Sequence, residues 1–312
     1  MKKLASLIIP TLLLVPQLSA IIVGGSDPNN IIYASSHTAV GFSVSSIGQC
    51  SGSLLSTGRH FLTAAHCIMD NSGNLSPSAT ISFFNGSSTR FDYTSSQITA
   101  NPFWVPGAYT SGSDLAIITL SSIVDLSIDR LSLYTGSGEL NQTGTIIGYG
   151  RQGTGVTGGS GGTSGIRRQG QNVVDEIVGN NLILIYDFDD GTSARNSRGS
   201  ATPTALESMI YSGDSGGPTL INGQIAGVHS FITCTSGSGG CQTVGNGSDL
   251  DGVLNGTFGE RFGDARVSRF VTWINSVAEP TSVPEPATYA AGILALVTCL
   301  ARARKNRNGS PN

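Results

Sequence analysis

The stretch SGDSGGP (Ser212–Pro218) sets Ser215 behind an aspartate and ahead of two glycines. Glycine lacks a Cβ, so its backbone can come close to whatever a neighbouring hydroxyl attacks. A serine hydroxyl is a weak nucleophile near neutral pH and needs an adjacent base. Two earlier stretches supply candidates for that base and its partner. CSGSLLSTGRHFLTAAHC (50–67) carries His66 in TAAHC, and SDLAIITL (113–120) places Asp114 at the mouth of an apolar run. From His66 to Asp114 is 48 residues, and from Asp114 to Ser215 is 101.

The order histidine, aspartate, serine, with GDSGGP around the serine, resembles the chymotrypsin-like (trypsin-like) serine proteases from about Ile22 to Val277. The resemblance implies an all-β fold of two antiparallel six-stranded β-barrels with a C-terminal α-helix, and a site in the cleft between them. It assigns Ser215 as nucleophile and His66 as base and then acid. Asp114 orients the imidazole, and the amides of Gly213 and Ser215 form the oxyanion hole. Peptide or protein substrates are implied, with no cofactor and no metal.

The specificity pocket follows from the same resemblance. Six residues before the nucleophile, where trypsin has an aspartate, stands Met209, followed by Ile210; the opposite wall is Ser230-Phe231-Ile232. Without an anionic floor, and with a branched residue where the family often has glycine, the pocket favours small or medium apolar residues before the cut.

Four cysteines, Cys50, Cys67, Cys234 and Cys241, precede the C-terminal tail, an even number that suits disulfides in an oxidising compartment. Spacing suggests Cys50 with Cys67 and Cys234 with Cys241, although four cysteines permit three pairings. The first pair matches the family disulfide beside the histidine. The family cysteine four residues before the serine is Tyr211 here, which leaves Cys241 as the substitute partner of Cys234. No CxxC or HxxxH spacing suggests zinc.

Residues 1–20 carry Lys2 and Lys3, an apolar run and small residues ending at Ala20, the pattern of a secretory signal removed by signal peptidase. The IVGG that begins at Ile22 resembles the family's processed N-terminus, whose ammonium pairs with the aspartate before the serine, here Asp214. Cleavage after Ala20 would leave Ile21 as an extra residue, a displacement of about 3.5 Å. Trimming of Ile21, or tolerance of it, are the two outcomes; no long propeptide of a zymogen is visible.

At the other end VPEPATYAAGILALVTCLARARKNRNGSPN resembles the PEP-CTERM sorting signal of Gram-negative bacteria. That implies processing by an exosortase, transient membrane contact through the tail, and release to the cell surface or extracellular matrix. A membrane anchor is the alternative, although the apolar run Ala287–Ala301 is only 15 residues long. The expected organisation is a signal at 1–20, a protease domain at 21–280 and a sorting tail at 281–312. Within the domain, barrel one covers about 22–130, barrel two about 131–265 and the helix about 266–277.

Composition fits this reading. The chain has 312 residues, 42 of them glycine, and only 12% are charged. All lysines lie in the terminal extensions, so the body sets eleven arginines against twenty acids, which speaks against a nucleic-acid partner. ATISFF, LAIITL, TIIGYG, NLILIYDF and GQIAGVHSF read as strands, and Asn222-Gly223 as a hairpin turn. Val267, Phe270, Val271 and Ile274 share one helical face. The glycine-rich 150–165 stretch reads as a mobile surface loop. Arg167 and Arg168 read as solvated, as does the turn DFDDG (187–191), which lacks the downstream glutamate of a calcium loop. His37, His60 and His229 read as structural. A monomer is expected. The competing function is a catalytically silent, protease-shaped binding or matrix protein.

Overall fold

The computed structural model describes residues 21–24, 32–33, 36–86, 89–160 and 165–278. The expected secretory signal, 1–20, and the expected sorting tail, 281–312, lie outside the described residues. No helix among the described residues is long and apolar enough to cross a membrane.

The first half closes into a six-stranded barrel. Its strands run, side by side, Val40–Ser45, Gln49–Leu54, His60–Thr63, Ala116–Leu120, Thr89–Ala100 and Ala79–Asn85, which returns to the first. All neighbours are antiparallel. The β-branched and aromatic runs of the sequence supply its interior. Val40, Leu54, Phe61, Leu62, Ile81, Phe83, Ile117 and Ile118 are fully buried, and Phe61 meets Phe83 edge to face at 5.8 Å.

The second half is a half-barrel. Six strands, Ile183–Asp187, Arg261–Arg266, Gln224–Thr233, Pro218–Ile221, Thr143–Gly148 and Arg168–Val173, lie in that order in one antiparallel sheet, edged by the short strands Glu176–Val178 and Ile32–Tyr33. Asn222 and Gly223 adopt φ of 52° and 75° between two of these strands, as a tight primed hairpin requires. A small sheet joins Ile21–Val23 to Gln152–Thr154 and Ser208–Met209. A single helical turn at Val267–Arg269 leads into the helix Val271–Ala278, whose Ile274 packs into the same core as the first barrel.

Two expectations about solvation fail, for one physical reason. Gly153, Thr154, Gly155 and Gly158 are buried, because the 150–160 stretch is strand and turn packed on the second half. A Cβ at Gly155 would stand 2.4 Å from Phe258, and one at Gly159 2.2 Å from Tyr211, so glycine here permits close packing rather than motion. Arg167 and Arg168 are only 6% and 1% exposed. Arg167 donates to the carbonyls of Val40 and Phe84 and to the Tyr149 hydroxyl, tying the second half to the first barrel. In each case the deciding contact is distant in sequence and invisible to local composition.

Candidate active site

His66 sits on the turn Ala65–Cys67 that leaves the strand His60–Thr63, and the Cys50–Cys67 disulfide fixes that turn to the neighbouring strand. Asp114 is fully buried just before the strand Ala116–Leu120. Its Oδ1 accepts the His66 backbone N–H at 2.9 Å, and its Oδ2 faces His66 Nδ1 at 2.6 Å. Oδ2 also accepts the Ser230 hydroxyl at 2.5 Å. Assigned from these partners, Nδ1 carries the ring hydrogen and Nε2 is left as acceptor. Tyr109 closes one side of the imidazole edge to face, ring centres 5.3 Å apart. Tyr109, and the bond from Ser230 to Asp114, are features of the site that the sequence reading missed; no motif marks either.

Ser215 comes from the second half, yet its loop is stitched to the first barrel. Its carbonyl accepts the Ser51 amide at 2.8 Å, and the Gly213 carbonyl accepts the Ser51 hydroxyl at 2.9 Å. A Cβ at Gly216 would lie 2.1 Å from Thr63 Oγ1, so this position needs glycine for close approach as well as for its φ of 80°. These contacts bring Ser215 beside Cys67, the neighbour of His66. Among the described residues no hydrogen bond joins the Ser215 hydroxyl to the imidazole; such bonds commonly tighten only with substrate bound.

The loop amides divide into two groups. Those of Asp214, Gly216 and Gly217 donate to the carbonyls of Tyr211, His229 and Asp214. Among the described residues, those of Ser212, Gly213 and Ser215 donate to no protein acceptor.

Beside Ser215 lies a cavity of about 280 Å³ lined by Ile210, Ser230, Phe231 and Ile232 from the expected set, joined by Tyr211 and Ser212. Met209 is not on its wall. It is fully buried in the second core cluster and pairs with Ile22.

Asp214 is also fully buried, its oxygens accepting the amides of Gly150 and Tyr211 at 2.8 and 2.9 Å. Burial pushes its carboxyl up to about 6; the two amides, and then the positive fields of His229 and Arg168, oppose that rise. Ile22 follows Ile21 in an unbroken chain, so its nitrogen is an amide and no ion pair with Asp214 is formed. His229 forms a second histidine–aspartate pair with Asp264, at 2.9 Å, with both side chains fully buried.

Both expected disulfides are present, Cys50–Cys67 and Cys234–Cys241. Among the described residues, the one group of three potential metal donors is Cys50, His66 and Cys67. Its sulfurs are joined to each other and offer no thiolate to a metal.

A closed barrel and a half-barrel, with a buried carboxylate on a histidine and a glycine-flanked serine nearby, define a two-lobed hydrolase architecture. The trypsin family model matches residues 22–248, and the chain belongs to that family of serine proteases. Among solved structures it is similar to HL collagenase (TM-score 0.53, 19% identity, 79% of this chain and 96% of the other). It is also similar to neuropsin, a serine protease expressed in the limbic system of mouse brain (TM-score 0.52, 16% identity, 78% and 96%). At these identities the likeness speaks for the fold alone. No curated sequence matches the chain.

Proposed function

We propose that the protein is an exported serine endopeptidase in which Ser215, His66 and Asp114 act as one unit. The observation that carries the reading is the pair of loop amides, Gly213 and Ser215, without a protein acceptor beside the Ser215 hydroxyl. Two N–H groups left open in the loop that carries a nucleophile suit an oxyanion, and each such donor is worth about 3 kcal/mol in the transition state.

In this mechanism His66 Nε2 takes the Ser215 proton as the hydroxyl attacks the scissile carbonyl. Asp114 stabilises the imidazolium through the 2.6 Å contact. The imidazolium then protonates the leaving amine, and water repeats the sequence on the acyl-enzyme. Ile210, Phe231 and Ile232 give the adjoining cavity an apolar wall, in keeping with small or medium apolar residues before the cut.

Two disulfides suit an oxidising compartment. The signal at 1–20 and the PEP-CTERM-like tail supply the route: signal peptidase, then an exosortase-type enzyme, and release at a Gram-negative cell surface or matrix. A fluorophosphonate probe tests the central claim. Labelling of the parent, and none of Ser215→Ala, is expected. A correctly processed parent that stays unlabelled sinks the enzyme reading in favour of a silent binding protein.

A further inference from the structure

A second histidine–aspartate pair lies behind the Ser215 loop, and the proposed mechanism does not use it. His229 and Asp264 are fully buried cross-strand neighbours, with Nδ1 facing Oδ1 at 2.9 Å. Asp264 Oδ2 accepts the hydroxyl of Thr219, also fully buried, at 2.6 Å. Thr219 follows Ser215-Gly216-Gly217-Pro218 directly along the chain. The His229 backbone grips the same loop: its carbonyl accepts the Gly216 amide at 2.8 Å, and its amide donates to the Gly217 carbonyl at 2.9 Å. The ring lies against that turn, since a Cβ at Gly217 would stand 3.0 Å from His229 Cδ2 and 2.9 Å from the Asp214 carbonyl oxygen. Gly216, His229, Asp264 and Thr219 thus close one hydrogen-bonded circuit around the loop.

The residue after His229 serves the other half of the site. Pairing of His229 with Asp264 is followed by pairing of Phe231 with Gly263, so Ser230 is the extra residue of a β-bulge. A bulge re-aims side chains, and this one carries the Ser230 hydroxyl to Asp114 Oδ2. The bulge starts at the His229–Asp264 pair.

Space filling does not explain the choice of residues. A buried ionisable pair can often be replaced by apolar residues of like volume with no loss of stability. Here the pair also leaves His229 Nε2 buried without a hydrogen-bond partner, which is a further cost. What the pair supplies, and an apolar contact does not, is direction. Asp264 fixes the imidazole through one oxygen and the strand of Thr219 through the other. Phe262 closes a further side of the imidazole edge to face, ring centres 6.1 Å apart.

We propose that His229 and Asp264 are positioning residues for Ser215: the pair locks the nucleophile loop and the Ser230 bulge to one strand, and so holds Ser215 in register with His66 and Asp114. The inference rests on the reading of Ser215 as nucleophile. Neither residue of the pair lines the cavity beside Ser215. The pair therefore acts on the chemical step and not on substrate binding.

The test uses the full chain. His229→Leu combined with Asp264→Val removes both partners together and leaves no buried charge alone. His229→Asn keeps an N–H donor toward Asp264. The double variant is expected to lose about tenfold in kcat with KM within about twofold of the parent, because the nucleophile is misplaced while the substrate cavity is intact. His229→Asn keeps kcat within about threefold of the parent. In a Ser215→Ala background, which prevents self-cleavage, the Gly216 amide of the double variant exchanges with solvent about tenfold faster, while the Ile117 amide of the first barrel exchanges as before. An unchanged kcat or an unchanged Gly216 exchange rate in the folded double variant overturns the proposal. So does a loss in His229→Asn as large as that in the double variant. Should the double variant not fold, the parent decides. Its His229 Nδ1 proton and Gly216 amide open together, with protection within about threefold of one another, and an Nδ1 proton protected about tenfold less overturns the proposal. A parent that fluorophosphonate does not label refutes the enzyme reading alone, and the exchange measurements still decide whether the pair holds the loop.

Discussion

Asp114→Asn isolates the electrostatic part of the proposed mechanism from the geometric part. Position 114 must keep an acceptor toward the His66 backbone N–H, now bonded to Oδ1 at 2.9 Å. An asparagine therefore turns its NH₂ to the Oδ2 side, where His66 Nδ1 and the Ser230 hydroxyl converge at 2.6 and 2.5 Å. Ser230 can adapt, because the Tyr109 carbonyl at 3.2 Å remains an acceptor for its hydrogen. The imidazole can adapt only by accepting at Nδ1, which moves its proton to Nε2, where it can no longer receive one from Ser215. The expected loss is about 10⁴-fold in kcat, equivalent to about 5.5 kcal/mol of transition-state stabilisation. Side-chain size and most hydrogen bonds survive, so folding stability falls by no more than about 2 kcal/mol. Peptide hydrolysis read beside a thermal melt separates the two quantities. A folded Asp114→Asn enzyme with kcat within about tenfold of the parent would refute the role given to this carboxylate.

Three further outcomes are expected. Replacing both Cys50 and Cys67 with alanine opens a crosslink between residues 17 apart in sequence and lowers the urea-derived unfolding free energy by about 3 kcal/mol; an unchanged value shows that the disulfide does not constrain the unfolded chain. Ile232→Gly opens the wall of the 280 Å³ cavity and raises kcat/KM for substrates with a large aromatic residue before the cut by about tenfold relative to alanine substrates; a constant ratio removes Ile232 from specificity. Burial pushes the Glu260 carboxyl from 4.5 up to about 7, so the folded state holds this proton more tightly than the unfolded chain does. Its contribution is therefore fully present below pH 4.5 and lost as pH rises through about 7. Glu260→Gln, which keeps an acceptor for the amides of Asn255, Gly256 and Thr257, flattens that slope in urea titrations; an unaltered slope rules Glu260 out as its source.

The residues proposed to carry the chemistry stand out in the sequence because each sits in a local pattern: TAAHC, DL before an apolar strand, and GDSGGP. The strands around them were legible from β-branched runs, and the hairpin from Asn222-Gly223. What was not legible depends on partners far away in the chain. Nothing near Arg167 announces that its guanidinium will reach Val40, more than a hundred residues earlier. Nothing near Gly155 announces Phe258. Asp187 and Asp189 of DFDDG look solvated because charged residues usually are, and only the packing of distant segments such as that of Glu207 shows that these two are buried while Asp190 stays exposed. Ser230 was placed on the pocket wall, while its bond to Asp114 depended on how a second-half strand meets the first barrel.

The N-terminal question turns on where the strain lies. Among the described residues, five non-glycine residues have positive φ; four are asparagines, which tolerate that region, and the fifth is Ile21, at 65°. A β-branched residue there costs about 1–2 kcal/mol. Ile22 shows no such conflict. It is fully buried, pairs with Gly153 and Met209, and fills a space so close to Gly256 that a Cβ there would stand 2.1 Å from its Cδ1. The seat for Ile22 is thus already built, and the strain falls on the residue that trimming removes. Cutting between the two isoleucines converts the Ile22 amide into an ammonium while Asp214 lies fully buried, its carboxyl raised by that burial to about 6. An ammonium drawn to that carboxylate lowers its pKa and steadies the loop that holds the Gly213 and Ser215 amides. N-terminal sequencing of probe-labelled protein is expected to begin at Ile22. Full activity in a chain that begins at Ile21 would show instead that the amides of Gly150 and Tyr211, with the fields of Arg168 and His229, hold Asp214 well enough alone.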